Sequence, residues 1–254
     1  MPESATSDFA RVLAIETATR VQAVALLDGE TLCEHRVQRV AYNHGSSLLR
    51  NVEEVLSNQD FDLDSIDLFA VGLGPGSFTG LRVGLATAKA LSRAVERPIV
   101  GVSSLAALTY GPARACPEAT VVAAIDARRR EVYAGAYRWE DKGLVEVLED
   151  CAIAPADWID HVSRGLRGDL IQVGDGIDRY DVLREWDAPD LRTFPGDLAP
   201  PSAVGVARLG RELALADGAA DRVQLEPNYI RPSDARLPEK APGPMPADPD
   251  ESTE

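Results

Sequence analysis

Gly72-Leu73-Gly74-Pro75-Gly76-Ser77-Phe78-Thr79-Gly80-Leu81-Arg82-Val83-Gly84 places five glycines in thirteen residues, between an apolar strand at 68–73 and a long helical pattern. Gly74, Pro75 and Gly76 read as a tight turn in which side chains must be small. Ser77 or Thr79 can cap the helix that follows. Backbone amides at such a helix start suit an anion. The spacing does not match either phosphate-binding signature, because neither a Gly-Lys-Ser/Thr nor a G-x-G-x-x-G run is present. A turn packed tightly on its own sheet explains the glycines equally well.

The helix after the turn sharpens the question. From Leu81 to Val95, Arg82, Lys89 and Arg93 fall on one narrow stripe and nearly everything else is apolar or small. A helix lying on one sheet needs an apolar stripe only a little over ~100° wide. Here roughly two thirds of the circumference is apolar. Gly80, Gly84 and Ala88, four apart, would let another backbone come close. One face is expected to meet the sheet and another a protein partner.

Outward from this segment the chain reads twice in the same order. Three extended stretches, 12–15, 21–27 and 31–38, are followed by a one-sided helix carrying Leu48, Leu49, Val52, Val55 and Leu56, then strand 68–73, the two-faced helix and strand 99–102. Asp28-Gly29 signals a hairpin between the second and third. The second half repeats the plan with 121–125, 132–138 and 144–148, a helix at 156–163, strand 170–173 and a helix at 202–216. This predicts an α/β protein of two lobes with a duplicated ribonuclease-H-like fold, as in the actin, sugar-kinase and Hsp70 group. The expected boundaries are an N-terminal lobe at 11–103 joined by a return helix at about 202–217, a C-terminal lobe at 104–201, and a closing segment at 218–232. Residues 1–10 and the proline-rich acidic stretch 233–254 are expected to be disordered.

Composition bounds the function. A formal charge of −15 over 254 residues disfavours tight binding of nucleic acid by this chain alone, since phosphate neutralisation supplies most of that affinity. Three scattered cysteines without a C-x-x-C spacing argue for a reducing compartment, and no leader or membrane-spanning run is visible, so a cytoplasmic location is expected. In the duplicated plan each half presents a carboxylate after its first strand, and Glu16 and Asp126 stand there. Neither Glu16-Thr17-Ala18-Thr19 nor Asp126-Ala127-Arg128-Arg129-Arg130 holds a glycine, so room for a triphosphate and its metal looks lost. Glu16, Asp126, Gly174 and Gly176 are therefore only weak cofactor candidates, and buried or bonded carboxylates are the plainer reading. His35, His44 and His161 lack partners at ligand spacing, and no catalytic or metal residue is assigned. Arg128, Arg129 and Arg130 form the one basic cluster, read first as a solvated hairpin tip.

Taken together, Ile15-Glu16-Thr17-Ala18-Thr19, the block Gly74 to Gly84, Asp126-Ala127-Arg128 with Glu131-Val132-Tyr133, and Pro227-Asn228-Tyr229-Ile230-Arg231 resemble the TsaB family, also called YeaZ, over about residues 11–233. The resemblance implies a bacterial subunit of the machinery that makes N6-threonylcarbamoyladenosine (t6A) on tRNA next to the anticodon. It further implies no cofactor, a non-catalytic role as a dimerisation scaffold for the paralogous transferase TsaD, a place beside the TsaE ATPase, a homodimer when alone, and tRNA met only through the complex. Leu48 and Leu49 stand where a second metal-binding histidine would be needed. In that family the two helices of the N-terminal lobe make the partner contact. This maps the docking residues onto His44, Ser47, Arg50 and Asn51 of the first helix, and onto Gly80, Arg82, Val83, Gly84, Ala86, Thr87 and Ala90 of the second. Two other readings compete: an active ATP- or metal-dependent enzyme of the actin-like group, peptidase-like in older naming, and a tRNA-binding module using Arg128 to Arg130.

Overall fold

The computed structural model describes residues 9–39, 44–193 and 203–231, with side chains omitted at 44–46. The ends expected to be disordered fall almost entirely outside this set. The first half runs β1 (Arg11–Glu16), β2 (Val21–Asp28), β3 (Thr31–Arg39), α1 (His44–Ser57), β4 (Leu68–Gly72), α2 (Phe78–Ala94) and β5 (Ile99–Val102). A helix that the sequence pattern did not indicate, α3 (Ser104–Ala115), links the halves. The second half runs β6 (Thr120–Arg128), β7 (Glu131–Glu140), β8 (Gly143–Ile153), α4 (Pro155–Gly165), β9 (Leu170–Val173), two single-turn helices α5 (Gly176–Arg179) and α6 (Asp181–Arg184), β10 (Leu191–Thr193) and α7 (Ala203–Asp217).

The sheet orders expose the duplication. One sheet is β3-β2-β1-β4-β5 and the other β8-β7-β6-β9-β10, the same arrangement. In each, three antiparallel strands form a meander and two further strands join in parallel after helical crossovers. This is the duplicated ribonuclease-H-like fold of the actin-like group. The Asp28-Gly29 signal holds: Asp28 pairs with Thr31 across a turn in which Gly29 takes a φ of +58°, a region open to glycine at little cost.

Period-2 alternation decides which layer each strand side chain enters. Val12 and Ala14 of β1 face a central core with α7, α3 and the inner face of the second sheet. Leu13 and Ile15 face the opposite way, into a core closed by Leu48, Val52, Val55 and Leu56 of α1 and Leu85 and Ala88 of α2. Val122 and Ala124 of β6 look outward onto Trp158 and Val162 of α4. The layers are thus α1/α2, first sheet, α7/α3, second sheet and α4. The helices α1 and α2 lie side by side on the outside of the first sheet.

Leu49 departs from its expected place. It is 56% exposed while Leu48 is fully buried, because adjacent residues on a helix are about 100° apart and only one of the pair can face the sheet.

Candidate docking face and interlobe cleft

The glycine run fixes α2 to its own lobe. Ser77 caps the helix, its hydroxyl accepting from the Gly80 amide at 3.3 Å. The Ser77 amide donates to the Ala18 carbonyl at 2.6 Å, and the Thr17 hydroxyl donates to the Gly80 carbonyl at 2.9 Å. A Cβ at Gly76 would overlap Ala18, and one at Gly80 or Gly84 would overlap Thr17. The close backbone approach permitted by these glycines is therefore made by the β1–β2 turn. Gly80 and Gly84 are buried, so they point away from any partner and the expectation for these two residues is corrected.

The opposite side of α2 is free of such support. Ala86 and Ala90 are exposed, with Thr79 and Ala94 on the same side, and Val83 and Thr87 are half-buried. Val83 also leans on the outer core, which makes it a poorer point for substitution than Ala86. Arg82 is exposed and held: its guanidinium lies 3.8 Å from the Phe78 ring centroid and donates to the Tyr229 hydroxyl at 3.0 Å. On α1, Arg50 and Leu49 are exposed and Ser47 is half-buried, its hydroxyl 3.3 Å from Gln22 Oε1. Asn51 is 2% exposed, accepting from Arg36 and donating to Gln38, so it too is corrected from a docking residue to an internal tie between α1 and β3. The His44 side chain lies outside the described residues. Of the expected docking residues, Arg50, Arg82, Ala86 and Ala90 are exposed and Ser47, Val83 and Thr87 half-buried; with exposed Leu49 they make a face of small residues on α2 bordered by the charged Arg82, Arg93 and Glu53.

The carboxylates of the cleft are engaged by the chain itself. Glu16 ends β1 and is fully buried; Oε1 accepts from the Ala18 amide at 2.7 Å, and Oε2 has no hydrogen-bond partner among the described residues. Gly72 walls it off, since a Cβ there would overlap the carboxyl. Burial raises its pKa above the ordinary value, opposed by the Ser104 hydroxyl and the Ala18 and Thr17 amides. A raised folded-state pKa means that stability is fully present below the ordinary carboxylate range and is lost as pH climbs through the raised value. Glu16→Gln keeps the shape and removes the ionisation. Urea unfolding is expected to show the variant gaining on the parent from pH 5 to pH 8; a difference that stays flat or shrinks would contradict the assignment.

Asp126 sits at the bulge before the β6–β7 tip. It accepts from the Tyr180 hydroxyl at 3.0 Å and the Arg128 amide at 2.9 Å, with Arg179 Nε 3.8 Å away. Its own amide donates to Asp175 at 3.0 Å, and burial raises the Asp175 pKa. Gly174, with φ +113°, and Gly176 press against Ala124 of β6, a close approach within the lobe. Arg128, Arg129 and Arg130 are exposed at the hairpin tip, all at positive φ. Among the described residues no group of three His, Cys, Asp or Glu side chains is arranged to hold a metal ion, and no helix is long and apolar enough to cross a membrane.

Sequence reasoning missed two features. Asp150 on β8 accepts from the Tyr137 hydroxyl at 2.6 Å and from the Ser103 hydroxyl, which caps α3, at 2.9 Å; burial lifts its pKa to about 6. The other is the path of residues 220–231 across both lobes. Its only local sign was Pro227-Asn228-Tyr229-Ile230-Arg231, a polar-aromatic run with no secondary-structure period.

Comparison with known proteins gives a consistent family. Residues 38–185 match the family described as "TsaD: tRNA N6-adenosine threonylcarbamoyltransferase". The chain is 32% identical to the tRNA threonylcarbamoyladenosine biosynthesis protein TsaB of Escherichia coli over 87% of its length and 94% of that protein's. It is 30% identical to TsaB of Bacillus subtilis, covering 88% and 95%. Among solved structures, YeaZ from Pseudomonas aeruginosa superposes with a TM-score of 0.74 at 26% identity, covering 87% of this chain and 99% of that one.

Proposed function

Since the chain belongs to the TsaB family of tRNA threonylcarbamoyladenosine biosynthesis proteins, we propose that it serves t6A synthesis as a non-catalytic docking subunit, binding a TsaD-type transferase through the outer face of α1 and α2. The observation that carries this reading is the division of labour on α2. Its glycine face is satisfied inside the lobe by Thr17 and Ala18, yet a second stripe carries small residues, with Ala86 and Ala90 exposed and Val83 and Thr87 half-buried, between the exposed Arg82 and Arg93 at its edge. Small residues let a partner helix approach closely, and Leu49 beside them supplies apolar area. When the paralogue is absent, a second copy of this chain can occupy the same face.

The state of the two cleft carboxylates supports a subunit without chemistry of its own. Glu16 is sealed behind Gly72, and Asp126, partly exposed, has one oxygen taken by Tyr180 and a backbone amide and the other 3.8 Å from Arg179. The pathway context supports a role beside a transferase, and tRNA would be reached through the assembled complex. The purified chain alone is expected to show no ATP hydrolysis, peptidase or transferase turnover, and to restore tRNA modification when added to its TsaD paralogue with the rest of the machinery. Turnover by the isolated chain that vanishes in Asp126→Ala would overturn this reading.

A further inference from the structure

The closing segment of the described chain runs from the edge of the first sheet to the hairpin tip of the second. Ala220 pairs with Ile99 at the edge of β5, its amide donating to the Ile99 carbonyl at 3.1 Å. Arg222 donates to the Ser92 hydroxyl and the Arg97 carbonyl, both at 2.9 Å. Lys89 of α2 donates to the Leu225 carbonyl at 2.7 Å. The Asn228 amide then donates to the Leu73 carbonyl at 2.7 Å, beside the glycine turn. Tyr229 stacks on Phe78 at 5.1 Å and accepts from Arg82. Ile230 joins the central core between the sheets. Arg231 reaches the other lobe, donating to Glu131 at 2.6 Å and to the Ala127 carbonyl at 3.0 Å.

Two consequences are physical. Two of the three cations on the stripe of α2, Arg82 and Lys89, are engaged by this segment. The segment also lies over the interlobe cleft: Asn228 and Ile230 line a cavity of about 550 Å³ with Ser103, Ala106, Tyr137 and Asp150. It touches the turn after β4 at Gly74 and the end of β6 at Ala127.

We propose that residues 225–231 are an internal clasp, a stretch of the chain's own backbone that occupies the cleft mouth and sets the spacing of the two lobes without any bound ligand. Its C-lobe anchor is the Arg231–Glu131 pair, a charge-assisted bond with both side chains partly shielded from solvent. Its N-lobe anchors are the Asn228–Leu73 bond and the Tyr229–Phe78–Arg82 stack. A two-lobed subunit held in this way presents one shape to its partner, which goes beyond the docking role and does not depend on it.

Amide hydrogen exchange on the full chain tests the clasp. In the parent protein, the Asn228 amide, bonded to the Leu73 carbonyl, should exchange at least tenfold more slowly than in an unstructured peptide of residues 225–231. Arg231→Gln should abolish most of that protection, leaving α2 unchanged, and Glu131→Gln, which removes the carboxylate charge but leaves the bond to the Ala127 carbonyl, should lower it to a smaller extent. Small-angle scattering should show the radius of gyration rising in both. Unprotected exchange of the Asn228 amide in the parent, or unaltered protection in both variants, would overturn the clasp; should Arg231→Gln fail to fold, Glu131→Gln decides. Ala86→Glu is the control that separates this from docking, since it should leave exchange in 225–231 untouched.

Discussion

Ala86→Glu will leave the isolated chain folded and weaken its self-association by on the order of 100-fold or more, because an uncompensated charge buried at an interface costs about 3–5 kcal/mol. The fold should tolerate the change. Ala86 is exposed on α2, makes no part of either core around the first sheet, and glutamate is a good helix former. Val83→Glu would be a weaker instrument, since that side chain also packs on the outer core. Sedimentation across a concentration series gives the readout, with circular dichroism and melting temperature as controls for folding. Equal association constants for the parent and the variant would remove the α2 face from the contact.

Gly80→Ala should have the opposite profile, a loss of stability arising wholly within one lobe. A methyl group there would overlap the Thr17 carbonyl, a backbone atom that cannot rotate away. The Ser77–Ala18 and Thr17–Gly80 bonds, which close the β1–β2 turn over the helix start, would then have to stretch. Overpacking of this kind costs about 1–3 kcal/mol, and the gain of roughly 1 kcal/mol from replacing a helical glycine offsets only part of it. The stability loss should therefore persist in dilute, monomeric samples, which chemical denaturation at low micromolar concentration measures. An unchanged midpoint would mean that the β1–β2 turn yields more easily than its hydrogen bonds suggest. Paired with Ala86→Glu, this variant separates the buried side of the helix from its open side.

Much of the architecture was written locally. The two β-meanders, the alternation of helix and strand, the Asp28-Gly29 hairpin and the capped helix after the glycine turn all rest on short-range chemistry, and they appear within a few residues of their expected limits. The helix α3 did not, because Leu105 through Tyr110 are buried on nearly every side between α7 and the second sheet, leaving no polar face to create a period. Gly111 and Pro112 near its end look like breakers as well. The proposed docking face rests in the sequence on an excess of apolar circumference on α2, but a helical wheel does not say which side meets the sheet. That is why Gly80, Gly84 and Asn51, which serve the lobe's own packing, entered the expected set, and Leu49, which points out, was assigned to the core. The clasp was invisible for a different reason: each of its bonds joins residues a hundred or more positions apart in the chain, where no local pattern reports them.

The central claim is that the open side of α2, beside α1, is where a TsaD-type transferase docks. Titrating the purified paralogue from the same organism with parent chain and with Ala86→Glu, by calorimetry, addresses it directly. The account predicts a stoichiometric complex with the parent and a loss of affinity on the order of 100-fold with the variant, accompanied by a matching loss of tRNA modification in the reconstituted reaction. Full-strength binding and full modification with Ala86→Glu would contradict it.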